Sequence, residues 1–99
     1  MRIFLVEDEK PLSAAIVKML EQEHFALDAA YTGPDGLDCA LSGIYDAIVL
    51  DVMLPGMDGF AVLRALRQQG VSTPVLMLTA RGGVQGLNLG ADYLPAQAL

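Results

Sequence analysis

Ninety-nine residues suffice for one small domain, and a chain that is 54% apolar and 18% charged has a globular composition rather than a disordered one. A formal charge of −6 would repel phosphate backbones and anionic lipid, which argues against nucleic-acid binding by this segment itself. A single cysteine excludes an internal disulfide, and with neither a signal-peptide pattern nor an apolar run near roughly 18 residues the chain reads as soluble and cytoplasmic, with no membrane partner.

The chain alternates between two periodicities. "RIFLV" (2–6) is a short apolar run that stops at Glu7-Asp8-Glu9, as a buried parallel strand would. In "LSAAIVKMLEQE" (12–23), entered through Pro11, Leu12, Ala15, Ile16, Met19 and Leu20 recur at helical spacing and predict an amphipathic helix. "FALDAA" (25–30) is a weaker strand. "PDGLDCALSG" (34–43) is a short helix with Leu37, Ala40 and Leu41 on one face and Gly43 at its end. "YDAIVL" (45–50) is the third strand. Residues 59–69 form a helix with Phe60, Val62, Leu63 and Leu66 inward, Asp58 as N-cap and Gly70 as terminator. "TPVLMLT" (73–79) is a fourth strand, "GGVQGLNLG" (82–90) at most a stunted helix, and "ADYL" (91–94) a brief fifth strand.

Such alternation argues for a parallel α/β sheet covered on both faces, and sheets of this kind bind ligands outside the carboxyl ends of their strands. Charged and hydroxyl residues interrupt the apolar runs at those ends: Glu7 and Asp8, then Asp51, then Thr79. Carboxylates brought together there repel one another by about 4 kcal/mol per pair at about 4 Å and an effective dielectric near 20. A hard cation relieves that repulsion, and an all-oxygen ligand set without His or Cys suits Mg²⁺, which commonly shares its site with a phosphate.

Other residues have plainer readings. Pro55-Gly56 reads as a turn and Asp58-Gly59 as a helix start. His24 reads as a surface or helix-terminal residue, Cys39 as a small core hydrophobe, and Met19, Met53, Met57 and Met77 mainly as packing. A dinucleotide-binding fold would need a glycine-rich turn after the first strand, where "VEDEKP" places three acids instead. A phosphohydrolase would want a proton donor beside Asp51, and Val52, Met53 and Leu54 supply none. Asp51 is therefore suited to accept an already activated phosphoryl group rather than to cleave stable esters.

Taken in order, "FLVEDE", "IVLDVMLPGMDG", "PVLMLTAR" and "LGADYL" resemble the receiver domain of two-component response regulators, in particular the OmpR/PhoB-like group whose receivers precede a winged-helix DNA-binding domain. The resemblance implies a flavodoxin-like, doubly wound sheet of five parallel strands in the order 2-1-3-4-5, with residues 1–99 as one receiver domain, incomplete at its C-terminal end. It implies Asp51 as phosphoacceptor, Asp8 as a direct Mg²⁺ ligand, Glu7 acting on the metal mostly through water, and the Met53 backbone carbonyl completing the protein ligands. Thr79 matches the hydroxyl residue that bonds the phosphoryl group, and Tyr93 the aromatic that turns inward on activation. The implied partners are a sensor histidine kinase, a second copy of the chain on activation, and DNA only through an effector domain beyond the last residue.

The sequence departs from that pattern after Arg81. The fourth helix is shortened and weakened by glycines, the fifth is missing or incomplete, and no lysine follows Lys18, although the family carries one before a proline where "YLPAQAL" has Pro95. A charge-assisted hydrogen bond of that kind is worth roughly 1.5–3 kcal/mol. A degenerate receiver, serving as an interaction domain that does not switch, is the competing expectation. The gaps fit either a shortened chain or a longer protein with stretches outside these residues, and their scattered positions favour the second.

Overall fold

A computed structural model describes residues 1–79 and 91–95, the backbone alone at 79 and 91–95. The elements run β1 (Arg2–Val6), α1 (Lys10–Gln22), β2 (Ala26–Ala30), α2 (Gly33–Ala40), β3 (Ala47–Asp51), α3 (Gly59–Gln68), β4 (Val75–Thr79) and β5 (Ala91–Pro95). The five strands pair in parallel in the order β2-β1-β3-β4-β5, the order implied by the family resemblance. The chain winds outward in one direction from β1 to β2 and in the other from β3 to β5. The crevice between the carboxyl ends of β1 and β3 is thus the topological switch point where such sheets bind ligands. The stretch 82–90, read as a stunted helix, lies outside the described residues.

Strand alternation sorts the core into two layers. Phe4 and Val6 of β1, Ile48 and Leu50 of β3, and Val75 and Met77 of β4 point to one face, where Val62, Leu63 and Leu66 of α3 and Leu37 of α2 pack on them. Leu5 and Leu78 point to the other face and meet Ile16 of α1, with Leu12, Val17, Leu20 and Val49 around them. β2 is an edge strand in which Ala30 is buried, Leu27 partly buried and the other residues exposed, in keeping with its weak apolar signal.

The helix faces are partly as expected. In α3 the buried residues are Gly59, Val62, Leu63 and Leu66, and Asp58 Oδ1 accepts the Ala61 N–H at 2.9 Å. In α1 the buried side is rotated from the predicted one: Ser13 and Ile16 are buried, whereas Ala15 is exposed and Met19 is 39% exposed. Seven apolar residues between 12 and 20 spread around most of this helix, so spacing alone locates its stripe only to within about a residue. Both α1 and α2 begin before the predicted starts, α1 with Pro11 and α2 with Pro34 in the first turn, where the missing N–H is harmless. Thr32 Oγ1 caps α2 by accepting the Asp35 N–H at 3.2 Å.

Tyr45 and Asp46 lie outside β3 and close its amino end. The Tyr45 ring stacks on Phe4 with centroids 4.7 Å apart, its hydroxyl donates to Asp28 Oδ2 at 2.8 Å, and the Arg2 N–H donates to Asp46 Oδ2 at 2.7 Å. Cys39 is exposed, contrary to its reading as core, because the buried side of α2 is carried by Gly33, Gly36 and Ala40. Met77 packs fully and Met57 partly, but Met53 is 76% exposed and has no packing role.

Candidate functional site

Two strand ends build the site. Val6 of β1 is paired with Leu50 of β3, so the next residues along, Glu7 and Asp51, lie abreast at the carboxyl edge. By alternation both belong to the sheet face that α1 covers. The Glu7 N–H donates to the Ala30 carbonyl at 3.1 Å and carries the ladder with β2 one step past β1, which leaves the residue only 3% exposed. Asp8 follows in the open loop. Carboxylate oxygens of Glu7, Asp8 and Asp51 lie within 4.8 Å of one another, the convergence that the sequence predicts.

The loop after β3 is fixed at its base. Val52 N–H donates to the Leu78 carbonyl at 3.1 Å, and Gly59 N–H returns to the Val52 carbonyl at 2.8 Å. Gly59 has no room for a side chain, since a Cβ there would overlap the Asp51 carbonyl oxygen. Met53 turns its N–H back to Asp51 Oδ1 at 3.2 Å, which sets the plane of that carboxylate.

Burial and mutual repulsion perturb this trio. Burial pushes the Glu7 carboxyl up to about 7; the Glu9 N–H on its Oε2 at 2.8 Å pulls the other way, and the neighbouring Asp51 and Asp8 add to the rise. Burial also raises Asp51, opposed by the Met53 N–H and by a hydrogen bond from Glu7, with the Asp8 charge adding to the rise. The cluster therefore holds a proton near neutrality or is neutralised by a cation. An all-oxygen set with this charge fits a hard divalent ion such as Mg²⁺.

The remaining predicted residues fall along the same edge or near it. Thr79 ends β4, one step beyond Leu78, the partner of Asp51. Tyr93 lies within β5 abreast of Met77, two positions short of the strand end. Asp58 is confined to capping α3, as read from the sequence, and His24 is an exposed residue at the end of α1. The sequence reading missed how the far side of the loop is held. Gly33 N–H donates to the Pro55 carbonyl at 3.1 Å, and a Cβ on Gly33 would collide with the Met57 carbonyl. Only the Gly-Pro pair at 33–34 hints at a tight contact, and nothing in it names the partner.

A doubly wound parallel sheet with three acids at its switch point defines a class of proteins that handle phosphoryl groups beside a metal. The particular family follows from comparison: residues 3–94 match the response regulator receiver domain, and the chain belongs to that family. It is 44% identical over 96 residues to the transcriptional regulatory protein DltR of Streptococcus agalactiae, an alignment covering 93% of this chain and 43% of that protein. It is 50% identical over 95 residues to the transcriptional regulatory protein TcrA of Mycobacterium tuberculosis, covering 92% and 38%. The chain thus spans less than half the length of these relatives, which as transcriptional regulators agree with the OmpR/PhoB-like resemblance. Among solved structures, the receiver domain of a Pseudomonas aeruginosa sensor histidine kinase superposes with a TM-score of 0.86 at 32% identity, covering 95% of this chain and 83% of that one. That structure has a magnesium ion coordinated in its active site cleft. Among the described residues no helix is long and apolar enough to cross a membrane.

Proposed function

We propose that this receiver takes a phosphoryl group from the phosphohistidine of a sensor kinase onto Asp51, with Mg²⁺ held by Asp8, Asp51 and the Met53 carbonyl and by Glu7 through water. The observation that carries the reading is the convergence of Glu7, Asp8 and Asp51 at the switch point of the sheet. When bound, Mg²⁺ supplies positive charge against the phosphoryl oxygens as the transfer proceeds. The Asp51 carboxylate is the nucleophile: one of its oxygens forms the bond to phosphorus while the bond to the kinase imidazole breaks. The Met53 N–H fixes the plane of the attacking carboxylate, and the burial of Glu7 keeps the site's charge ready for exchange of a proton against a cation. Thr79 bonds the phosphoryl group once it has arrived, and Tyr93 reports the new state.

The chain on this reading is a cytoplasmic signalling module rather than a turnover enzyme. It acts on transcription through a DNA-binding domain beyond its last residue and pairs with a second copy when phosphorylated. Acetyl phosphate with Mg²⁺ is expected to add one phosphoryl group, seen as a single mass increment, and Asp51→Asn to abolish it. Incorporation that persists in Asp51→Asn removes Asp51 from this role.

The absence of any lysine after Lys18 favours a second reading, a receiver that binds partners but does not switch. Beryllofluoride with Mg²⁺ separates the two. Chemical-shift changes that spread beyond the loops around Asp51 support switching, and changes confined to those loops support the second reading.

A further inference from the structure

The geometry points to the first turn of α2 as the brace that positions the loop of Asp51 and Met53, with Gly33 as the positioning residue. This rests on the reading of the acidic cluster as a cation site. The loop from Val52 to Asp58 is tied at its base by Gly59 N–H on the Val52 carbonyl. Its crest is held from the side of α2. Gly33 N–H donates to the Pro55 carbonyl at 3.1 Å, the Gly33 Cα packs so closely on Met57 that a Cβ would overlap its carbonyl oxygen, and Gly56 approaches the Pro34 ring, where a Cβ would lie 3.0 Å from Cδ. Met53 lies between the two ties, and its amide holds Asp51 Oδ1. Gly36 seats the next turn of α2 on Val6, the residue before Glu7, so the same helix is anchored to the strand that carries the other acids.

Groups that hydrogen-bond a metal-ligating residue typically change metal affinity by about ten- to a hundred-fold when removed, and Gly33, which acts one step further out through Pro55 and Met57, belongs at the lower end of that range. Gly33→Ala drives a methyl group into the Met57 carbonyl and pushes the crest away from α2. Leu41→Ala is the matched control, because it removes a core contact at the far end of α2 and leaves the first turn in place. The measurement is a Mg²⁺ titration of the whole chain followed by the amide shifts of Met53 and Asp51. Gly33→Ala is expected to weaken Mg²⁺ binding by about tenfold, and Leu41→Ala to lower stability with affinity unchanged within twofold. Wild-type affinity in Gly33→Ala, or an equal loss in Leu41→Ala, overturns the brace.

A second measurement needs no variant. Coupling is reciprocal, so a cation that gains from the Gly33–Pro55 bond must strengthen it by the same factor. Hydrogen exchange at the Gly33 amide is expected to slow on adding Mg²⁺ to the native chain, and an unaltered rate overturns the proposal even if Gly33→Ala does not fold. No Mg²⁺ binding by the wild type overturns the cation site and the brace together, whereas binding with an indifferent Gly33 overturns the brace alone.

Discussion

Glu7 is the residue on which the site's pH behaviour turns. Its ordinary value is 4.5 and burial pushes it up to about 7, so the folded chain retains a proton there that the unfolded chain releases. A group raised in this way contributes stability that is complete below about 4.5 and is lost as the pH rises through about 7. Urea midpoints measured without divalent cations are expected to fall between pH 5 and pH 8, and Glu7→Gln to reduce that fall. A drop of the same size in the variant would assign the loss elsewhere. The acids were legible in the sequence because each ends an apolar run, and a strand that stops on a charge places it at the rim. The Met53 amide was not legible: it acts through its backbone, which any residue type supplies.

Among the elements, α1 and α3 close in the same way with different residues. In α3, Val71 N–H reaches the Leu66 carbonyl at 3.0 Å and Gly70 N–H the Arg67 carbonyl at 3.1 Å, with Gly70 at φ 80°. In α1, Phe25 N–H reaches the Leu20 carbonyl at 3.3 Å and His24 N–H the Glu21 carbonyl at 2.9 Å, with His24 at φ 69°. This paired pattern is a Schellman motif, and its left-handed position is costly for a residue with a Cβ. His24→Gly is expected to raise the urea midpoint by an amount worth about 0.5–1 kcal/mol, the relief of strain being partly offset by the freer unfolded chain. An unchanged or lower midpoint would show that the His24 side chain compensates for its backbone. The end of α3 at Gly70 was readable because glycine marks the left-handed turn, whereas α2 stops at Ala40, three residues short of Gly43, which takes its positive φ in the loop beyond. The His24 turn was not, since no spacing rule flags a histidine for it. The buried side of α1 was likewise blurred by apolar residues on nearly every side.

For the whole molecule, the proposed cation site would link ion binding to the fold. A ligand that binds only the folded chain stabilises it by about 2.7 kcal/mol when present at a hundred times its dissociation constant. Mg²⁺ is expected to raise the melting temperature, more at pH 8 than at pH 5 where protons compete for the same carboxylates, and EDTA to reverse the effect. An equal rise in Asp51→Ala would mean that the ion binds elsewhere. The strand order is a whole-molecule property that periodicity does not reveal, because alternation reports which face a residue takes and not which strand lies beside it; family resemblance supplied what spacing could not. Alternation has a further consequence for how this chain tolerates change. Glu7 and Asp51 share a face because Leu5 and Val49, each two residues earlier, already point there. Deleting or inserting one residue within β1 would turn the Glu7 carboxylate toward the layer of Phe4, Val6 and Leu50, beneath α2 and α3. Substitutions along β1 alter packing by degrees, but a change in its length by one residue dismantles the acidic cluster outright. The number of residues in that strand is as much a part of the site as the acids themselves.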